Sequence, residues 1–243
     1  MILVTGAAGA IGRATVRAFR AAGYPVVGFD SDPAVVEAVE QEDYAGYVVD
    51  VRDEKAVAQA VRAAQKRGPL HHVIGIAGGA LPDEPPTQDD PVRLEPDVFR
   101  ASLELNLISQ FVVLRAALPW LRDAGGDRSI ILTSSWNALT GCGMPAYSAA
   151  KAGLVGMMHA LTAPLGAEGI RVNVVAPGTV RTPRTERIWA HDAGHWGRLE
   201  AGTALGRLGT PDDVASTYLA LAIHLTHVTG QVLVVDGGQM VKR

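Results

Sequence analysis

Tyr147 and Lys151 stand four residues apart in Tyr147-Ser148-Ala149-Ala150-Lys151. On a helix that spacing puts both side chains on one face, a turn apart. A free phenol titrates near 10, so proton transfer near pH 7 asks for a value lower by about 3 pH units, or ~4 kcal/mol. One ammonium about 4 Å away, at an effective dielectric near 20, supplies roughly that much. The pair could therefore work as a general acid/base. Tyrosine and lysine also share this spacing on ordinary helix surfaces, so the neighbourhood matters. Just upstream, an aliphatic run ends in Thr133-Ser134-Ser135, which sets hydroxyls at a strand C-terminus. Adjacent strand residues face opposite sides, so only one of Ser134 and Ser135 can turn toward the phenol.

A second constellation lies at the N-terminus. Thr5-Gly6-Ala7-Ala8-Gly9-Ala10-Ile11-Gly12 follows the first aliphatic run and opens a helix-periodic stretch. Glycines there permit a tight turn and a close approach of backbone to a pyrophosphate, and the helix N-terminus adds unpaired N–H groups. A glycine-rich turn alone is a weak signal, since glycine also serves plain turn geometry. Its place between strand and helix strengthens it. Asp30 closes the second aliphatic run; a carboxylate there accepts hydrogen bonds from adenosine ribose hydroxyls and repels a 2′-phosphate. The glycine turn holds no Arg or Lys and Ser31 follows Asp30, so the site reads as one for NAD rather than NADP. The plainer use of Asp30 is to cap a helix starting near Pro33.

The elements that must position these groups are strands at 2–4, 25–29, 47–49, 72–74, 129–132, 171–175 and 231–235, alternating with helical stretches at 11–22, 53–67, 97–123, 146–167 and 211–225. Most of the strands are continuous apolar runs, as in parallel sheets buried on both faces. The alternation predicts a doubly wound, mostly parallel seven-stranded α/β sheet of Rossmann type, helices on both faces, in one domain over 1–243. A TIM barrel would need eight such units. Two irregular regions interrupt the pattern. The Pro-rich, acidic 79–96 reads as a solvated connection, and 183–207, with Trp189, His191, His195 and Trp196, as a substrate lid.

Composition narrows the classes. In 243 residues, 48% are hydrophobic and 19% charged, which excludes a disordered chain. The net charge of −3 and the lack of a basic patch argue against nucleic acid. Cys142 is the single cysteine, which fits a reducing compartment. With no leader-like N-terminus and no continuous apolar run of about 20 residues, the expectation is a cytoplasmic protein without a membrane partner.

Taken together, the residues resemble the short-chain dehydrogenases/reductases. The resemblance rests on the N-terminal glycine turn, Asp50-Val51 after the third strand, Asn106 in the long helix, Tyr147 with Lys151, Pro177-Gly178 with Val180 and Thr182 beyond the sixth strand, and Val235-Asp236-Gly237-Gly238 near the end. It implies a catalytic tetrad of Asn106, Ser135, Tyr147 and Lys151. Tyr147 would exchange a proton with the substrate oxygen, and Lys151 would lower its pKa and bind the nicotinamide ribose. The serine would hydrogen-bond the substrate oxygen, and Asn106 would hold a water linking Lys151 to solvent. Family spacing points to Ser134, but the run from Ser135 to Gly141 resembles the family motif better, and Ser135 is the choice.

Cofactor contacts are implied at Gly6, Gly9, Ile11, Gly12, Asp30, Asp50, Val51, Ala77, Gly78, Tyr147, Lys151, Pro177, Gly178, Val180 and Thr182. Two departures touch cofactor affinity more than chemistry. The turn has Gly9 and Ala10 where the family has its middle glycine one place later. Gly75-Ile76-Ala77-Gly78 replaces Asn-Asn-Ala-Gly, losing an asparagine that helps stabilise the sheet. The segment before Thr229-Gly230 is also short. The resemblance further implies a homotetramer built partly from the helices at 97–123 and 146–167.

Other residues invite sharper readings. His191 and His195 share metal-ligand spacing, but no carboxylate–histidine signature accompanies them, and no metal is expected. Cys142 has no identifiable activating base, so it reads as a small lining residue. Trp136 suits a pocket wall, Trp120 the core. Arg181, Arg184 and Arg187 could attract an anion but read as solvated. The expected function is an NAD(H)-dependent oxidoreductase interconverting a secondary alcohol and a ketone. The alternatives are a cyclic diol or sugar dehydrogenase with the same tetrad, and a non-catalytic nucleotide sensor on the same fold.

Overall fold

The computed structural model describes residues 1–37, 43–84, 90–141, 143–190, 192 and 194–241. Cys142 and His191 lie outside the described residues, as do parts of the two irregular regions, 85–89 and 193. Seven parallel strands form one sheet: β1 Ile2–Thr5, β2 Val26–Asp30, β3 Tyr44–Val48, β4 His72–Gly75, β5 Arg128–Thr133, β6 Ile170–Pro177 and β7 Val232–Val235. Their order is β3-β2-β1-β4-β5-β6-β7, the doubly wound sheet expected, and not a closed barrel. The third strand starts earlier than the apolar run at 47–49. Gly46 lets it pass against the Val35 carbonyl, where a Cβ would overlap the oxygen, and the Tyr44 hydroxyl donates to that same carbonyl at 2.9 Å. An Asp-Tyr-Ala-Gly stretch gives little sign of this, because its strand character comes from packing and not from hydrophobicity.

Ten helices connect the strands among the described residues: α1 Ala10–Ala21, α2 Ala34–Glu37, α3 Glu54–Gln65, α4 Pro96–Leu103, α5 Ser109–Asp123, α6 Trp136–Thr140, α7 Pro145–Gly166, α8 Pro183–Ile188, α9 His195–Ala201 and α10 Pro211–Leu219. Alternating strand residues separate two cores. Leu3, Val27, Val73, Ile130 and Val172 pack with side chains of α3, α5 and α7, including Val57, Val113 and Leu154. Ile2, Val4, Ile74, Ile131 and Val175 pack on the other side with Val16 and Phe19 of α1 and Val214 and Tyr218 of α10. Trp120 is buried, its indole N–H donating to the Gly68 carbonyl at 2.9 Å.

The helix expected at 97–123 is broken by a π-helical turn, Glu104–Ile108, with Asn106 buried in its middle. The Ser109 N–H reaches back to the Glu104 carbonyl, and the Ser109 hydroxyl takes the Leu105 carbonyl at 2.6 Å. A π turn admits one extra residue and so changes which residues face inward, a frequent arrangement at functional sites. Over Pro96–Asp123 the combined run is long and apolar enough, by length and composition, to cross a bilayer. It holds no unbroken apolar stretch of about 20 residues, since Arg100, Glu104 and Arg115 interrupt it. Here α4 packs on α7 and α5 on α3. A second π turn, Ala220–His224, follows α10.

The order reverses between β1 and β4, whose following segments therefore leave on opposite sides of the sheet and open a crevice at the strand C-termini.

Candidate active site

The crevice begins with the glycine turn. Gly12 is fixed by contact: a Cβ there would overlap the Gly6 carbonyl oxygen. Gly6, at φ +69°, lies so close to Ala77 that a Cβ would stand 2.9 Å from its nitrogen. Gly9 begins α1 without any side-chain cap, and no acidic residue occupies the first turn, where Ile11 is partly exposed. Uncapped N–H groups and the positive end of a 12-residue helix thus face the crevice. Asp30 accepts from the Ala8 N–H at 2.9 Å and from the Asp32 N–H at 3.0 Å, tying the turn to the end of β2. The cap near Pro33 is made by Asp32, which accepts from the Ala34 N–H at 2.9 Å. A cation does lie at the edge of the turn. Arg13, one place beyond it, curls back to donate to the Ala8 carbonyl at 2.7 Å.

Beyond β3, Val51 is buried, while Asp50 forms a two-pronged ion pair with Arg52 that holds its carboxyl below the usual range. After β4, the Ile76 and Ala77 N–H groups both donate to the Thr5 hydroxyl at 3.1 Å. The asparagine missing from this stretch is replaced in effect by Gln110 of α5. Its amide donates to the Ala77 carbonyl at 2.6 Å, and its side-chain oxygen fills the space over Gly75. After β6, Gly178 packs so tightly on Asp236 that a Cβ would lie 2.7 Å from that residue's own Cβ. Val180 is buried, and Thr182 caps α8 by accepting from the Thr185 N–H at 3.2 Å.

The four tetrad residues converge. Tyr147 sits in the first turn of α7, its phenol within reach of the Ser135 hydroxyl, which itself donates to Asn137 Oδ1 at 3.1 Å. Ser135 also caps α6, accepting from the Asn137 N–H at 3.2 Å. Ser134 faces away: its hydroxyl donates to the Lys151 carbonyl at 2.8 Å. Lys151 is 2% exposed, and its ammonium donates to the Thr133 carbonyl at 2.9 Å, 5.7 Å from the centre of the Tyr147 ring. Asn106 and Lys151 meet over Gly78, where a Cβ would stand 2.6 Å from Asn106 Oδ1 and 3.3 Å from Lys151 Nζ. The Asn106 side chain is engaged by protein: Oδ1 accepts from the Gly79 N–H at 2.7 Å, and Nδ2 donates to the Gly79 and Ser102 carbonyls.

The electrostatics correct one expectation. In the chain by itself, Lys151 does not acidify Tyr147. Burial pushes the phenol above its ordinary value, against the pull of the Ser135 hydroxyl and the attraction of Arg184, while Glu84 pushes it further up. Burial also holds the Lys151 ammonium down to about 7. Withdrawn from water with one neutral acceptor, the ammonium loses charge near neutral pH before it can stabilise a phenolate.

The region 79–96 is not a plain solvated connection either. Glu84 is 1% exposed and accepts from the Ala146 and Tyr147 N–H groups. Nothing in Leu81-Pro82-Asp83-Glu84 points to this. The available signal lies at the other end: Met144-Pro145-Ala146 starts a helix with no capping side chain, so the cap must come from elsewhere. Of the lid arginines, Arg181 pairs with Glu186 and lies over Trp196. Arg184 donates to the Gly78 and Ala80 carbonyls, bridging α8 to the segment after β4. Trp189 and His195 stack at 3.8 Å within 183–207. No cluster of three or more His, Cys, Asp or Glu suited to a metal occurs among the described residues.

The likeness to known proteins extends over nearly the whole chain. A family model described as enoyl-(acyl carrier protein) reductase matches residues 6–240. An uncharacterized oxidoreductase of Schizosaccharomyces pombe is 36% identical over 243 residues, spanning 98% of this chain and 90% of its own. The L-fucose dehydrogenase of Mus musculus is 35% identical over 249 residues, spanning 98% and 87%. A crystal structure of a short chain dehydrogenase/reductase family oxidoreductase from Burkholderia thailandensis superposes with a TM-score of 0.87 at 35% identity, covering 98% of this chain and 92% of that one.

Proposed function

The chain belongs to the short-chain dehydrogenase/reductase family as an oxidoreductase, and from that premise we propose that it interconverts a secondary alcohol and a ketone using NAD(H), with Tyr147 as acid/base. The observation that carries this reading is the convergence of Ser135, Tyr147, Lys151 and Asn106 beside a glycine-lined crevice.

Family dehydrogenases use nicotinamide cofactors, and the residues present fit one. Gly12 and Gly6 leave backbone where a side chain would collide, α1 presents uncapped N–H groups, and Asp30 stands at the end of the next strand. Gly6, Gly9, Ile11 and Gly12 would hold the pyrophosphate, Asp30 the adenosine ribose, and Tyr147 and Lys151 the nicotinamide ribose. Bound there, the cofactor supplies the hydride chemistry. The Asp30 carboxylate favours the free ribose hydroxyl of NAD; Arg13, which donates to the Ala8 carbonyl of the same turn, weakens that preference.

The chain itself handles a proton and an orientation. In reduction, Tyr147 Oη gives its proton to the carbonyl oxygen and is left as the phenolate; in oxidation the phenol first loses its proton toward the Lys151 amine and solvent, and the phenolate then takes the proton of the substrate hydroxyl. Ser135 Oγ, whose single proton goes to Asn137 Oδ1 at 3.1 Å in the chain by itself, would turn that proton to the substrate oxygen and so hold it beside the phenol. Lys151, near 7, is poised to exchange a proton with the phenol's surroundings, and its charge becomes favourable once an anionic oxygen forms nearby. Asn106 holds the Gly78–Gly79 backbone against this corner.

A sugar or cyclic diol substrate is the second reading, favoured by the likeness to L-fucose dehydrogenase. Incubating the protein with NAD and a panel of secondary alcohols, sugars and diols, and with NADH and ketones, while following NADH absorbance, tests the proposal. Turnover of at least one member supports it. Cofactor binding without turnover across the panel favours the nucleotide sensor instead.

A further inference from the structure

We propose that Glu84 is a positioning residue, whose buried carboxylate, from the loop after β4, caps the helix that carries Tyr147 and Lys151 and ties it to the turn that carries Asn106. The proposal rests on the reading of this site as the oxidoreductase centre.

The start of α7 cannot cap itself. Met144, at the cap position, has no acceptor and stands in the left-handed region at φ 40°, followed by Pro145. A helix leaves its first N–H groups unpaired, and buried ones must find partners. Pro145 has none to offer. The Ala146 N–H donates to Glu84 Oε1 at 2.8 Å, and the Tyr147 N–H to Oε1 at 3.0 Å and Oε2 at 3.2 Å. The Ser148 N–H then returns to the Met144 carbonyl at 2.9 Å. One side chain therefore completes the first turn of the helix, and that turn contains the phenol.

The same carboxylate reaches the other half of the site. The Ser102 hydroxyl donates to Glu84 Oε2 at 3.3 Å. The Ser102 carbonyl accepts from Asn106 Nδ2 at 3.0 Å, and Asn106 grips Gly79 from both sides. Gly79 lies on the segment that leads to Glu84. The chain of bonds thus runs from β4's exit through Asn106, Ser102 and Glu84 to the backbone of Tyr147, and fixes the helix relative to the crevice.

Among the described residues, no arginine or lysine pairs with Glu84. Its charge is met by N–H dipoles and the positive end of α7. It is also one of the charged or titratable groups acting on the phenol, with Lys151 on α7, Arg184 on α8 and Tyr218 on α10; the Ser135 hydroxyl stands within its reach. Removing the charge should let the phenol titrate lower, an effect that a merely structural prop would not produce.

Two variants and two readings test this. In Glu84→Ala, kcat with the best substrate should fall about tenfold or more while the NAD dissociation constant stays within about threefold. In Glu84→Gln, which keeps an acceptor oxygen and drops the charge, most of kcat should return. Ultraviolet difference titration of each protein against its Tyr147→Phe counterpart should show the Gln variant's phenol lower by about half a pH unit or more. That second reading needs no turnover, so it judges Glu84 even if no substrate reacts and the proposed reaction fails. An unmoved phenol with wild-type kcat in Glu84→Gln would overturn the proposal, as would a parallel loss of kcat, NAD affinity and melting temperature. Should Glu84→Ala not fold, Glu84→Gln decides alone.

Discussion

The Lys151 ammonium donates to the main-chain carbonyl of Thr133 at 2.9 Å, and no other hydrogen bond from it occurs among the described residues. Ser134, next along from Thr133, returns a bond to the Lys151 carbonyl at 2.8 Å. The end of β5 and the second turn of α7 are thereby locked together, and Ser135 is left facing Tyr147.

This burial makes Lys151 a stability cost. The unfolded chain keeps the lysine protonated up to about 10.4, the folded chain only to about 7. Below pH 7 the penalty is complete; between about 7 and 10 the unfolded state alone holds the proton, so stability rises with pH. Lys151→Met, in the protein without cofactor, should therefore be more stable than wild type at pH 6–7. The gain should be on the order of 3 kcal/mol after loss of the Thr133 bond, fading toward pH 10. Thermal melts across that range check it; a variant less stable at every pH contradicts it.

Cofactor choice rests on Asp30. NAD should bind at least about tenfold more tightly than NADP in a fluorescence titration, the scale of one repelled phosphate. Asp30→Asn should narrow the gap, and Arg13→Ala should weaken NADP further because it removes the cation at the Ala8 carbonyl. Equal or tighter NADP binding by the wild type contradicts the assignment.

Arg171 is a structural clamp remote from this chemistry. It is 7% exposed, pairs with Asp127 and donates to the Leu221 and Ala222 carbonyls at 2.6 and 2.9 Å, holding the π turn after α10. Arg171→Met leaves those carbonyls unpaired and should cost about 3–5 kcal/mol in urea denaturation, with NAD affinity kept in the folded protein. A loss under about 1 kcal/mol would show that the carbonyls find other partners.

The sheet and the Tyr147–Lys151 pair could be read from residue types because each rests on local patterns: apolar runs for buried parallel strands, glycines between strand and helix, and a Tyr–Lys spacing of one turn; Asn106 and the choice of Ser135 came only with the family resemblance. The missing parts depend on contacts between distant segments. Gln110 stands in for an absent asparagine from another element, and Glu84 caps a helix more than sixty residues away. The π turn at Asn106 carries no periodic signal, since an extra residue in a helix changes facing without changing composition. Spacing alone says nothing about dehydration, so the sequence presents Lys151 as a full ammonium; burial holds that ammonium down to about 7 in the chain by itself.

The most direct test of the acid/base assignment is Tyr147→Phe, which removes one oxygen at the Ser135 hydroxyl. The expected result is a kcat lower by about 10²–10⁴ with the NAD dissociation constant within about twofold of wild type. Turnover retained within about threefold would contradict the role given to the phenol.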